Sequence, residues 1–263
     1  MKIITGFFMA WGNFCAIPCP CKKWDEKARK QMLVMFPVIG LIIGALWYAL
    51  FLLLKAAGIP VPLSAALMTA YPFLASGFIH LDGFMDCNDA ILSRRPLEER
   101  QRILKDSRVG AFAVITAILL FMVFFAAMWS LIDQGGGSAI WCLVLAPVLA
   151  RALPARDIMA MRPLSTSQYE QSFEDGKNQT YKWVLTAIWL VAALALLTAG
   201  RYLDLRCGGN AFQAAGVMAA AQLAVALISG AYARKQLGGM SGDIAGYMLI
   251  WSELAAVVSL SVM

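Results

Sequence analysis

Three aspartates, Asp82, Asp86 and Asp89, stand at positions i, i+4 and i+7 within the string F-I-H-L-D-G-F-M-D-C-N-D. On an α-helix that spacing puts all three carboxylates on one face. Like charges so placed repel, and no basic residue is interleaved to relieve them. A divalent cation would relieve them. Magnesium takes one or two protein carboxylates and completes its shell with phosphate oxygens and water. The row therefore reads as a site for phosphoryl chemistry. Asp82 and Asp86 are the expected metal ligands and Asp89 the candidate base, although the spacing does not fix which carboxylate holds metal and which takes the proton; His80 stands just ahead of the row and Asn88 within it. The plainer alternative is a solvated helix end that carries acids by chance. Carboxylates at the end of a membrane span are costly unless paired or functional, and here they come in a row.

Two further strings carry suitable chemistry. In K-D-S-R-V-G, Lys105 and Arg108 flank Asp106 and Ser107, so that two cations, a carboxylate and a hydroxyl fall together. The cations suit a diphosphate, although the remaining arginines of that loop are explained by membrane orientation alone. In L-G-G-M-S-G-D-I-A-G, Gly239 and Gly242 allow a ligand close to the backbone. Ser241 and Asp243 can cap the helix that follows, whose amino end attracts phosphate. A simple glycine-rich capping turn is the competing reading. Further on, Glu253 is a carboxylate inside an apolar run and needs a partner.

The elements that must position these groups are membrane helices. Apolar residues make up 60% of the 263, and charged residues 14%. A soluble domain is nearer half apolar and a quarter charged. Candidate spans cover residues 35–54, 61–81, 110–132, 139–153, 181–199, 211–231 and 243–262. The fourth is interrupted by Pro147, Arg151 and Pro154. Residues 3–17 read as an interfacial or re-entrant segment that is not cleaved. The fold class is thus all-α: one integral membrane domain over residues 1–263, a bundle of about seven spans plus that segment. Lysine and arginine cluster ahead of the first span, including Lys22 and Lys23, and in loops 82–109, 154–180 (with Lys177) and 232–242. The opposite loops, including Gly135 to Gly137, are nearly free of them. The three polar loops are therefore expected on the cytoplasmic side and the C-terminus outside. The net charge of +6 belongs to this pattern and not to nucleic-acid binding. Cys15, Cys19 and Cys21 lack the second C-x-x-C or paired histidines of a zinc site and read as free thiols.

Taken together, the strings resemble the adenosylcobinamide-GDP ribazoletransferase (cobalamin synthase) family. The resemblance runs from W-D-E-K-A-R and F-P-V-I-G-L-I-I-G through H-L-D-G-F-M-D-C-N-D and K-D-S-R-V-G-A-F to G-G-M-S-G-D-I-A-G and Glu253. It implies that GDP-activated adenosylcobinamide is joined to α-ribazole or its 5′-phosphate with loss of GMP, late in vitamin B12 synthesis. It also implies magnesium and the cytoplasmic (inner) membrane, with the active site facing the cytoplasm. The implied partners are these small molecules and membrane lipid; homo-oligomerisation is left open. The chain departs from the family pattern at Ala90, at Cys15-Ala16, at Ser241 and at Ile250. Two other classes were weighed. A CDP-alcohol phosphotransferase would need a D-G-x2-A-R-x8-G-x3-D-x3-D string, which is missing. A cation-coupled transporter would show two similar halves with broken helices, and no repeat is visible.

Overall fold

A computed structural model describes residues 2–21, 24–134, 139–164 and 178–263. Lys22, Lys23, Gly135 to Gly137 and Lys177, which entered the orientation argument, lie outside the described residues. Among the described residues the architecture is helical, and the only β contact is an isolated bridge between Pro163 and Met240.

Among the described residues five helices are long and apolar enough to cross a bilayer. They are α2 (Arg29–Ala56), which continues a 3-10 turn at Glu26–Ala28, α6 (Ala111–Asp133), α8 (Asn178–Cys207), α9 (Ala211–Leu237) and α10 (Gly242–Ser261). Two shorter helices, α3 (Val61–Ala75) and α4 (Ile79–Leu92), meet at an 89° bend and count as a sixth span if taken together. The remaining helices are α1 (Lys2–Phe14), α5 (Leu97–Ile103) and α7 (Ala146–Ala160). At 13 residues α1 is too short to cross, and it packs along the start of α2, in keeping with an interfacial piece.

The count differs from the seven expected, for local reasons. The segment 61–81 is not one helix. Pro72 has no N–H to give Met68, whose carbonyl instead accepts from Trp47 Nε1 at 2.9 Å. Ser76 Oγ bonds back to the carbonyl of Pro72 at 2.8 Å, and Gly77 and Phe78 then turn left-handed, at φ 64° and 62°. That turn ends α3 and aims α4 across the bundle. The segment 139–153 becomes a 3-10 turn, Ile140–Val144, followed by α7, with Pro147 in the first turn of α7 where a missing N–H costs nothing.

Contacts between loops sort the two ends of the bundle. At one end Gln31 bonds Tyr181, Gln101 bonds the carbonyl of Leu237, Arg100 bonds Gln236, and Leu164 and Met240 pair through their backbones. At the other end Gln134 reaches the carbonyl of Ser261, and Asn210 that of Met263. The described parts of the three basic loops thus share one end. Outward faces are apolar, as lipid requires: Ile115, Ile118 and Met122 on α6, and Leu190, Val191 and Leu194 on α8, are all exposed.

α7 and α10 form the core. All residues of α7 except Arg156 and Ala160 are buried. Four alanines, Ala146, Ala150, Ala152 and Ala155, let its neighbours α2, α8 and α10 come close. Here Glu253 finds its partner: Arg151 Nη1 donates to Glu253 Oε1 at 2.7 Å, with side chains 0% and 2% exposed. Removing one member leaves the other buried and uncompensated, at a cost of about 3–5 kcal/mol, whereas replacing both by apolar residues is often neutral. Glu253→Leu should therefore lower the melting temperature sharply in detergent, and Arg151→Met/Glu253→Leu should recover most of the loss. A double variant as unstable as the single one would show that the ion pair is not what joins α7 to α10.

Candidate active site

α4 lies directly on the first turns of α10, backbone against backbone. A Cβ added at Gly83 would sit 2.8 Å from Asp243 Cα, and one added at Gly246 would sit 2.9 Å from the carbonyl oxygen of His80. Real Cβ atoms do not come so close, so glycine at both positions sets the crossing. The crossing brings Asp243 to the aspartate row. The carboxylates of Asp82, Asp243 and Asp89 all act electrostatically on Asp86. Ser241 serves both readings made of it. Its Oγ accepts from the N–H of Ile244 at 3.3 Å, which caps α10, and donates to Asp243 Oδ2 at 3.3 Å, which steers that carboxylate.

The row itself divides. Asp82 is exposed, Asp86 half-buried and Asp89 buried. Asp89 Oδ2 accepts the N–H of Gly110 at 2.6 Å, and Oδ1 accepts that of Ala113 at 2.9 Å. It thereby caps the start of α6 and pins the K-D-S-R-V-G loop to α4. A Cβ at 110 would lie 2.5 Å from Asp89 Oδ1, so a side chain there would displace this carboxylate. This contact gives the physical reason why the two strings occur together. It also occupies both oxygens of the residue expected as base.

The rest of that loop stays at the surface. Lys105, Ser107 and Arg108 are exposed. Arg108 Nη2 pairs with Asp106 Oδ2 at 2.6 Å, and this bond holds the Asp106 carboxyl well below the usual range, at about 2. Gly239 packs against the backbone of Pro163 and Leu164 and not against the row.

Two cavities meet at Asp82, and a third adjoins the far end of the larger one. The innermost, about 110 Å³, is lined by Ile79, His80, Asp82, Gly242, Asp243 and Ala245 with apolar neighbours. A larger one, about 610 Å³, runs from Asp82 along the bend to Asn13, Cys15 and Ala16. It shares those three residues with a third, about 370 Å³, walled by Phe8, Pro18 and Trp24. Ile79 and Asp82 line both the inner cavity and the outer groove, and Asp82 is the charged one of the two. His80 is buried beside the Phe14–Phe36 ring pair, at ring distances of 5.9 and 5.4 Å.

Among the described residues no three His, Cys, Asp or Glu side chains close on a single metal position. A two-carboxylate magnesium site completed by phosphate and water does not need three. The oxygen-only donors fit that ion: Asp82 and Asp243 line the inner cavity, Asp82 also lines the groove, and Asp86 lies within electrostatic reach of both. The sequence reading missed the α3–α4 bend that makes the groove, and Arg151. A lone arginine within an apolar run, matched by a lone glutamate in another, was the available signal for the second.

The chain matches the profile of the cobalamin-5-phosphate synthase family over residues 6–261. It is 38% identical over 259 residues to an adenosylcobinamide-GDP ribazoletransferase of Clostridium perfringens, covering 97% of this chain and 96% of the relative. Relatives of the same name from Clostridium botulinum and Pseudomonas putida are 34% and 36% identical over 98% and 90% of this chain, and over 97% and 90% of their own lengths. No solved structure gives a significant match. The chain belongs to the cobalamin-5-phosphate synthase family.

Proposed function

We propose that the chain is an adenosylcobinamide-GDP ribazoletransferase that uses magnesium. One observation carries the reading beyond family membership: Asp82 of α4 and Asp243 of α10 line one cavity, and both act electrostatically on Asp86. A hydroxyl of α-ribazole, or of its 5′-phosphate, attacks the phosphorus that stays with cobinamide. The new O–P bond forms as the bond to GMP breaks, and the hydroxyl proton passes to a carboxylate of the cluster. Magnesium, when bound by Asp82 and Asp86, would neutralise charge on the diphosphate. Asp82 stands where the groove meets the inner cavity, so it receives the nucleophile. The groove, with Trp24 and Phe8 in its outer part, is of a size that takes a nucleoside. The base role expected of Asp89 is not carried forward; Asp89 positions the loop. Lys105 and Arg108 lie on that loop and are assigned to the leaving group, Arg108 once released from Asp106.

The direct test is GMP release from adenosylcobinamide-GDP plus α-ribazole by protein purified in detergent, with no membrane gradient. Asp82→Asn and Asp86→Asn should abolish release while leaving the melting temperature near that of the wild type. Asp89→Asn should behave differently. Weakened bonds to Gly110 and Ala113 should cost about 1–3 kcal/mol of stability, with release per folded molecule reduced less than in Asp86→Asn. Absence of GMP release from the wild type would sink the function. Near-normal release by Asp86→Asn at low magnesium would remove the row from the site.

The same proposal places the site end at the cytoplasmic face of the inner membrane, by the distribution of lysine and arginine. Two native thiols report on it. Cys21 is exposed near the start of α2, at the site end, and Cys207 is exposed at the far end of α8. An impermeant maleimide added to spheroplasts should label Cys207 and spare Cys21. The reverse pattern would invert the topology.

A further inference from the structure

The inner cavity is bounded by two helix beginnings, the first turn of α4 (Ile79, His80, Asp82) and the first turn of α10 (Gly242, Asp243, Ala245). The amino end of a helix carries N–H groups without intrahelical partners and the positive end of its dipole. In α4 the first helical bond runs from Asp82 N–H to the carbonyl of Phe78 at 2.9 Å, so the N–H groups of Ile79, His80 and Leu81 lie ahead of the ladder. Two such ends facing one space favour an oxyanion there.

A second observation is independent of the helices. His80 lines the same cavity, is 6% exposed, and its Nε2 is buried without a hydrogen-bond partner. A buried polar atom left unpaired is costly, and a ligand at that place would offset the cost. The Phe14–Phe36 ring pair packs against one side of the imidazole. The Arg151 guanidinium lies 5.6 Å from the centre of the Phe36 ring, and its charge reaches His80. Asp82 and Asp243 bring negative charge to the same walls, so an oxyanion enters together with a divalent cation. The volume, about 110 Å³, suits a phosphoryl group. It is too small for a nucleoside or a corrin, since ligand sites for such molecules run from about 300 Å³ upward.

We propose that this cavity is the subsite for one phosphoryl group of the substrate's diphosphate, with a ring nitrogen of His80 donating to a non-bridging oxygen. This rests on the function proposed above and adds a specific donor to it. Magnesium pyrophosphate is the probe. It should raise the melting temperature of the wild-type protein in detergent. His80→Phe keeps the aromatic packing and should lose that rise; His80→Gln keeps an N–H donor and should retain most of it. Damage to packing alone would lower the baseline melting of both variants and leave the pyrophosphate rise intact, which would overturn the proposal. So would an unresponsive wild-type protein. In the kinetic arm, His80→Phe should raise KM for adenosylcobinamide-GDP about tenfold, a loss of about 1.4 kcal/mol, with KM for α-ribazole unchanged. A membrane protein could also meet phosphate as a lipid headgroup. Short-chain phosphatidic acid should therefore leave the melting unmoved, and stabilisation by that lipid in place of pyrophosphate would reassign the cavity. Wild-type GMP release without a pyrophosphate response would defeat only this inference. A pyrophosphate response without GMP release would defeat the transferase reading instead.

Discussion

The contact of α4 with α10 is the constraint on which the site depends. Two glycines, Gly83 and Gly246, let the backbones touch, and no side chain larger than hydrogen fits at either place. Every other feature serves that contact. The left-handed pair Gly77 and Phe78 turns α4 off the axis of α3, so that it can lie across α10. The buried Arg151–Glu253 pair ties α10 to α7. Asp89, on the buried side of α4, reaches out to fix the start of α6 and the loop before it. The result is a short helix held from three sides, with Asp82 and Asp86 on its open side.

Charge balance separates structural acids from the others. Asp157 is buried and answered by Arg156 and Arg234, each at 2.6 Å. Glu253 is answered by Arg151, and Asp106 by Arg108. Among the described residues, Asp82, Asp86 and Asp243 have no basic partner within ion-pair distance. The other buried acids are answered by arginine or, for Asp89, by backbone N–H groups, which leaves these three together at the α4–α10 crossing. Carboxylates held close relieve their repulsion by taking up a proton or by binding a cation, and the second is the physical basis for the magnesium proposed here.

Much of this was legible in the sequence. Helical periodicity put Asp82 and Asp86 on one face, and the alternation of basic and neutral loops put Asp243 at the same end as the row. Hydropathy gave the class of fold and most of the helices. What it could not give were features set by tertiary contact. Residues 61–81 contain no Asp, Glu, Lys or Arg, and the break after Pro72 is supported by tertiary contact, with the Met68 carbonyl accepting from Trp47. Residues 146–160 contain two prolines and two arginines and read poorly as a span, yet they form the buried centre, because Glu253 and Arg234 supply the missing charges. Asp89 looked equivalent to its neighbours in the row. Its turn toward Gly110 depends on where α6 begins, which periodicity on α4 alone does not encode.

The central claim is that close approach of α4 to α10 assembles the site, and Gly83→Ala tests it most directly. The added methyl would meet the backbone at Asp243, where nothing can rotate away, so the two helices must part. GMP release should be measured per folded molecule, with melting followed in the same preparation. The account predicts a loss of about a hundredfold, the scale expected when catalytic groups shift by about 1 Å. Unchanged release from a normally folded Gly83→Ala protein would contradict it.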